Sequence, residues 1–151
     1  SAAIQFFALD TDPINDQVES AKTQLAWLEM ELKKSSARWK IAFGHHPIYS
    51  GGEHGDNKIM KAALENLLMA YKVDLYLTGH DHDQEIITPV NGVLHIVSGA
   101  GGKDRDVTWS DRTIYAGTNL GFTWFRISRN EMLVEFITGK NHLDFAYTVI
   151  K

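Results

Sequence analysis

An α/β chain whose carboxyl-terminal third turns antiparallel is what the sequence predicts, on three observations. Through the first half, strand-length apolar runs alternate with amphipathic helical patterns, the arrangement that places successive strands side by side and parallel. Two of those strands end in a glycine followed by histidine, in Phe43-Gly44-His45-His46-Pro47 and Leu77-Thr78-Gly79-His80-Asp81-His82. Further on, short runs alternate apolar with polar residues and are separated by turn residues, which is the pattern of antiparallel hairpins.

The elements follow in order. Residues 4–10 read as a buried strand that begins almost at the first residue, a hint that something upstream is missing. Asp12-Pro13 signals a turn. A helix is expected over 16–34, with Val18, Ala21, Leu25, Leu28 and Leu32 on its inner face and Lys33 and Lys34 suiting its carboxyl-terminal dipole. Residues 39–43 form the next strand. A loop over 48–57 carries His54, and a second amphipathic helix is expected over 58–71, with Asp56 as its N-cap. The strand over 73–77 leads into the second histidine turn. Strands over 85–88 and 93–98 flank the Pro89-Val90-Asn91-Gly92 turn. Residues 103–119 are polar and irregular and read as a surface loop. Strands over 121–128, 132–138 and 145–150 complete the chain. Trp109, Tyr115 and Trp124 read as core or loop packing.

Composition bounds the chemistry. A chain of 151 residues fits one domain with a real core. The net charge of −4 and the lack of a basic patch argue against a nucleic-acid partner held by bulk electrostatics. No apolar run is long enough to cross a membrane as a helix and no signal-peptide pattern opens the chain, so no membrane partner is expected. There is no cysteine, so thiolate metal sites and disulfides are excluded and any metal falls to His, Asp, Glu, Asn or Tyr.

The histidines carry the functional signal. A neutral imidazole donates a nitrogen lone pair, and two strand ends each deliver one from a glycine turn. His80 and His82 are separated by one residue, so in an extended or turning backbone they can reach two different points, which suits two adjacent ions better than one. His46 is expected to pack beside the site rather than to ligate. Asp81 could orient a neighbouring histidine as an outer carboxylate or simply face solvent. His95, on a strand, is expected in a core or an interface, and His142 is assigned nothing. Ser98-Gly99-Ala100-Gly101-Gly102 lacks a following helix, so a close-packed turn near the site is expected rather than a phosphate cradle. Tyr49 is expected to pack in the cleft.

Gly44-His45-His46-Pro47, Gly52-Glu53-His54-Gly55, Gly79-His80-Asp81-His82 and Ser98-Gly99-Ala100-Gly101 resemble, in that order, the motifs of the purple (tartrate-resistant) acid phosphatases, which are calcineurin-like metallophosphoesterases. Phe7-Ala8-Leu9-Asp10-Thr11 and Gln24-Leu25-Ala26-Trp27-Leu28 look like the same framework. The resemblance covers residues from about 4 to 101 well and the last hairpins loosely. It implies an α/β fold that is half of a four-layer αββα sandwich, a mixed sheet with antiparallel C-terminal strands. It also implies a binuclear metal centre, iron(III) with a second iron, zinc or manganese ion. His45 and His80 would hold the divalent ion and His82 the iron(III). His54 would contact the substrate phosphate and protonate the leaving oxygen, as catalytic and substrate-binding residue, with His46 and Asp81 in supporting positions.

The family's earlier motifs, with a first aspartate, a bridging aspartate, an iron-bound tyrosine, an asparagine and another histidine, would precede Ile4. Gly55-Asp56-Asn57 only superficially resembles the bridging motif. The whole chain, 1–151, is therefore expected to be the C-terminal half of a catalytic domain, needing its N-terminal half as partner. Three histidines do not satisfy two ions, one of which prefers oxygen, so the isolated chain should be inactive or nearly so. The expected reaction of the intact protein is phosphate monoester hydrolysis. Alternatives are a metallophosphodiesterase or nucleotide phosphohydrolase, and a non-catalytic half-domain that dimerises through an exposed sheet face. The resemblance implies an extracytoplasmic or lysosomal location.

Overall fold

The computed structural model describes residues 3–151. Among the described residues nine strands and three helices run in the order β1 (Ile4–Ala8), α1 (Asp12–Asn15), α2 (Ser20–Lys34), β2 (Trp39–Phe43), α3 (Lys58–Ala70), β3 (Leu75–Thr78), β4 (Gln84–Val90), β5 (Val93–Ser98), β6 (Thr113–Gly117), β7 (Gly121–Ile127), β8 (Glu131–Thr138) and β9 (Leu143–Ile150). A six-stranded mixed sheet has the order β1-β2-β3-β5-β4-β6, and β7-β8-β9 form a separate antiparallel sheet. β1, β2, β3 and β5 are mutually parallel, with Phe6 opposite Ile41, Ile41 opposite Leu75 and Leu75 opposite Leu94. Their carboxyl ends share one edge, and that edge receives Thr11, the two histidine turns and the Ser98-Gly99 turn.

The middle of the large sheet is buried on both faces, so its strands supply apolar residues to both sides, whereas β1, expected as a buried strand, is an edge strand on which only Phe7 is fully buried and Phe6 is exposed. Phe7, Ala42 and Tyr76 meet Leu28 and Leu32 of α2 and Met60, Leu64 and Leu68 of α3 on one side. Trp39, Ile41, Leu75, Ile86 and Ile96 meet Met132, Val134 and Phe136 of β8 on the other. Three layers result: helices, mixed sheet, antiparallel sheet. Trp39 is wholly buried and its indole N–H donates to the Ser128 carbonyl at 2.7 Å, pinning the layers together. Among the described residues no helix is long and apolar enough to cross a membrane.

Four expectations are corrected. The single helix over 16–34 is two, because Pro13 starts a short α1 early and Gln17, in the left-handed region at φ 56°, ends it. Val18 consequently lies in the break and is half exposed. The N-cap of α3 is Asn57 rather than Asp56: the Asn57 side chain accepts from the Ile59 and Met60 amides, both at 3.0 Å. It also donates to Asn15 Oδ1 at 2.8 Å, joining α1 to α3, while Asp56 pairs with Arg112. Asn57→Ala should therefore cost about 1 kcal/mol in denaturant unfolding, whereas Asp56→Ala should leave the helix start intact. The polar segment 103–119 is not wholly loop, since β6 pairs antiparallel with β4 and Tyr115 stacks on Phe145 at 4.6 Å. Trp109 and Trp124 are exposed, not core.

Candidate metal centre

The two histidine turns are laced together by backbone. Gly44 N–H donates to the Leu77 carbonyl at 3.1 Å and Gly79 N–H to the His45 carbonyl at 3.2 Å. His80 itself sits in the left-handed region, φ 68°, a conformation that costs a residue with a Cβ about 1 kcal/mol and that tends to mark functional turns. The turn sets His80 Nδ1 3.0 Å from His45 Nε2. Two imidazole nitrogens on one ion at about 2.0–2.1 Å lie roughly 3 Å apart, so this pair fits a shared ion. His45, His46 and His80 together offer ring nitrogens all within 4.8 Å of one another. Burial holds His80 below the usual histidine range, helped by the neighbouring His54, His46 and His45, which favours the neutral, ligating form.

His46 plays a different part from the other two. Thr11 Oγ1 accepts from the backbone N–H of both His45, at 3.2 Å, and His46, at 3.0 Å. Its lone pairs are thereby used, so its own proton goes to His46 Nδ1, 2.9 Å away. Burial, then the charge of His45, keeps His46 neutral by holding it below the usual range. The remaining proton of that neutral ring is then on Nε2. In this tautomer His46 donates a hydrogen bond instead of a lone pair.

His54 lies on the loop ahead of α3, with its ring centroid 4.2 Å from that of His80. Its Nδ1 is 2.5 Å from Asp81 Oδ1, and the same oxygen accepts its backbone N–H at 3.1 Å. Asp81 is therefore not at the surface; it is buried. Burial opposes its charge, but hydrogen bonds from Ser50 and His54 outweigh that and hold its carboxyl below the usual carboxylate range. A cavity of about 330 Å³ opens beside His54 and His80, lined also by Asn57 and Lys58.

His82 is not one of the three histidines whose ring nitrogens lie within 4.8 Å of one another, and its Nδ1 is buried with no hydrogen-bond partner among the described residues. Beyond it Asp83 and Glu85 are wholly buried. Glu85 accepts the Gly51 N–H at 2.9 Å and lies 2.9 Å from Ser50 Oγ, whereas both oxygens of Asp83 lack a partner among the described residues. Burial pushes the Asp83 carboxyl up to about 8, with the charges of Glu85 and Asp81 adding to it, and burial likewise raises Glu85. His82 Nδ1 and the Asp83 carboxyl are orphaned buried groups in the residues that directly follow His80, which makes the 3.0 Å imidazole pair with His45. A metal centre fits that donor set.

The sequence singles out His45, His54, His80 and His82 as candidates and does not single out Thr11, Ser50, Asp83 or Glu85, which the structure places around them. Alternation in Asp81-His82-Asp83-Gln84-Glu85 was a legible signal of three acids on one side of a strand entrance. Nothing local marked Ser50 or Thr11. Tyr49 is buried in the floor, its hydroxyl donating to Glu65, and His95 lies edge-on to it at 4.9 Å in the core.

Comparison with known proteins agrees with this geometry. The family model described as Calcineurin-like phosphoesterase matches residues 4–84. Tartrate-resistant acid phosphatase type 5 of Oryctolagus cuniculus is 34% identical over 130 residues, covering 80% of this chain and 40% of the relative. Purple acid phosphatase 4 of Arabidopsis thaliana is 37% identical over 134 residues, with 84% and 39% covered. The chain thus spans about 40% of the length of these curated relatives. In fold it is similar to a purple acid phosphatase from yellow lupin (Lupinus luteus) seeds, TM-score 0.86 at 18% identity, covering 99% of this chain and 31% of that one. It is also similar to GAP50, described as the anchor in the inner membrane complex of Plasmodium, TM-score 0.85 at 24% identity, with 99% and 50% covered.

Proposed function

Because this chain belongs to the calcineurin-like phosphoesterase family, we propose that it carries the histidine-bearing half of a binuclear centre that hydrolyses phosphate monoesters. The observation that carries this reading is the approach of His45 Nε2 and His80 Nδ1 to 3.0 Å across two separate glycine turns. In the proposal His45 and His80 hold a divalent ion (iron, zinc or manganese) and His82 holds iron(III). Bound ions at such a site supply Lewis acidity and bring the pKa of water towards neutrality.

The chain's own residues then handle the substrate. His46, with its proton on Nε2, donates to a phosphate oxygen. His54 lines the cavity next to His80, within reach of a leaving oxygen, to which it gives a hydrogen bond or a proton. Lys58, at the first position of α3, adds positive charge to the same cavity. Asn57 has already taken two of the helix's free amides, so the cation and the histidines, rather than bare backbone, meet the anion.

The remaining ligands are assigned to a preceding half of the same domain, a reading supported by the share of the relatives that this chain spans. That half also supplies the fourth layer. On the outer face of the small sheet Phe122, Trp124 and Ile150 are exposed, an apolar surface suited to burial under further chain. The same face favours, as a second reading, a non-catalytic half-domain that dimerises.

Zinc titration by calorimetry, combined with aryl phosphate hydrolysis, tests the proposal. The chain alone should bind zinc, His80→Ala should weaken binding at least tenfold, and neither should turn over substrate. Joined to a preceding half taken from a relative, the parent chain should hydrolyse mono-aryl in preference to bis-aryl phosphate. Equal zinc affinity in His80→Ala would remove the metal assignment, and turnover by the chain alone would remove the half-domain reading. Dimerisation of the chain with no activity in the joined protein would favour the second reading.

A further inference from the structure

The loop that carries His54 is bound to the second histidine turn through a run of buried polar side chains, and that run does more than hold the loop. Asp81 Oδ1 faces both the ring and the backbone N–H of His54. Asp81 Oδ2 accepts from Ser50 Oγ at 2.5 Å. Ser50 Oγ also lies 2.9 Å from Glu85 Oε1 and accepts the Gly52 N–H at 2.9 Å. One hydroxyl has one proton for two carboxyls. The shorter contact, to Asp81, takes it, and both oxygens of Glu85 accept from the Gly51 N–H, at 3.0 and 2.9 Å. Buried polar runs of this kind hold their members in one arrangement. Gly52 fits against them closely: a Cβ there would lie 2.7 Å from Asp81 Cβ and in collision with Asp83 Oδ2.

We propose that Asp81 is a positioning residue, which fixes the proton of the neutral His54 ring on Nδ1 and leaves Nε2 as the nitrogen presented beside His80. A turn that merely needed an anchor would be served by the His54 backbone N–H alone. Here the imidazole is bonded to the same oxygen, and a wholly buried carboxylate faces a half-exposed ring. A carboxylate accepts and does not donate, so the nitrogen it faces must carry hydrogen. The ring orientation stands on this geometry alone; only the meaning of Nε2 as the nitrogen that takes up a proton and then gives it to the leaving oxygen rests on the phosphoesterase reading.

Long-range ¹H–¹⁵N correlation on the metal-free chain, with labelled histidine and His54 assigned by loss of its signals in His54→Gln, reads the tautomer directly. At a pH where imidazoles are neutral, His54 should show hydrogen on Nδ1. In Asp81→Ala, which removes the acceptor, it should shift towards the Nε2–H form that free imidazole side chains prefer, while Ser50→Ala, which keeps the carboxylate, should retain Nδ1–H. Hydrogen on Nε2 in the parent chain overturns the proposal by itself, whether or not Asp81→Ala folds. An unchanged tautomer in folded Asp81→Ala overturns it as well. In the joined protein, Asp81→Ala should lower kcat at least tenfold with zinc content unchanged. If the tautomer is as expected but the joined protein never hydrolyses phosphate, the phosphoesterase reading fails and the positioning role stands.

Discussion

Gly99→Ala should destabilise the chain by about 3 kcal/mol, the upper end of what an added methyl costs in a filled interior. A Cβ built on Gly99 would overlap the Asp81 carbonyl oxygen, lie 2.9 Å from the Asp81 carbonyl carbon and 3.4 Å from the Gly79 carbonyl carbon. All three atoms are backbone, so no side chain can rotate aside. The Gly99 N–H also donates to the Asp83 carbonyl at 2.9 Å, so moving residue 99 away breaks a bond to the same turn. Either the β5 end or the Gly79-His80-Asp81-His82 turn must shift, and His80 then leaves its 3.0 Å contact with His45. Zinc affinity should fall together with stability. Gly101→Ala is the control, since a Cβ there meets nothing within 4 Å, and it should stay within about 0.5 kcal/mol of the parent. Urea unfolding of both variants decides. A loss below about 1 kcal/mol in Gly99→Ala would show that the two turns are not in fact wedged together.

The parts that could be read from the sequence were those written in local pattern. Strand, glycine and histidine are contiguous in β2 and its turn, and again in β3 and its turn, so both the strands and their delivery of His45 and His80 to one edge followed from the residues themselves. The β4–β5 hairpin was legible for the same reason: Asn91 and Gly92 both adopt positive φ, 52° and 84°, as a tight two-residue turn demands. Where reading failed, a local backbone turn or a contact distant in sequence made the decision. The apolar spacing from Val18 to Leu32 suggested one helix from 16, yet Gln17 turns left-handed and the helix restarts at Ser20. Thr113-Ile114-Tyr115 is β-prone, but only pairing with β4 makes it a strand, and its polar surroundings hid it. Asp56 and Asn57 are equally good caps by type; Arg112, 56 residues away, takes the aspartate. Ser50, Asp83 and Glu85 gather because β4 enters the sheet beside the loop after β2, a relation that topology creates and spacing does not.

Acid should weaken this fold through His95. The ring is buried on β5, edge-on to Tyr49 at 4.9 Å and near Tyr76 at 6.1 Å. Neither neighbour carries charge at neutral pH, since burial raises both hydroxyls above their ordinary value. Burial, helped by the positive charge of Arg112 and only partly opposed by Asp56, pulls His95 down to about 4. An unfolded histidine titrates near 6.5, so between those two values the unfolded chain binds a proton that the folded chain refuses. Stability contributed by the neutral ring is therefore complete above about 6.5 and is lost as pH falls towards 4. The expected loss is about 2 kcal/mol by about pH 5 and about 3 kcal/mol by about pH 4. His95→Leu keeps a comparable apolar volume between the two tyrosines and has no proton to refuse. It should cost some packing at neutral pH but remove that part of the acid slope, while every carboxylate contribution stays common to both proteins. Urea unfolding of parent and variant from pH 8 down to about pH 4.5 gives the difference. Parallel curves would mean that His95 accepts its proton in the folded state as readily as in the unfolded one. In that case the space around it would have to admit water or shift on protonation, and β5 would not be the rigid support on which the Ser98-Gly99 turn holds the histidine edge in place.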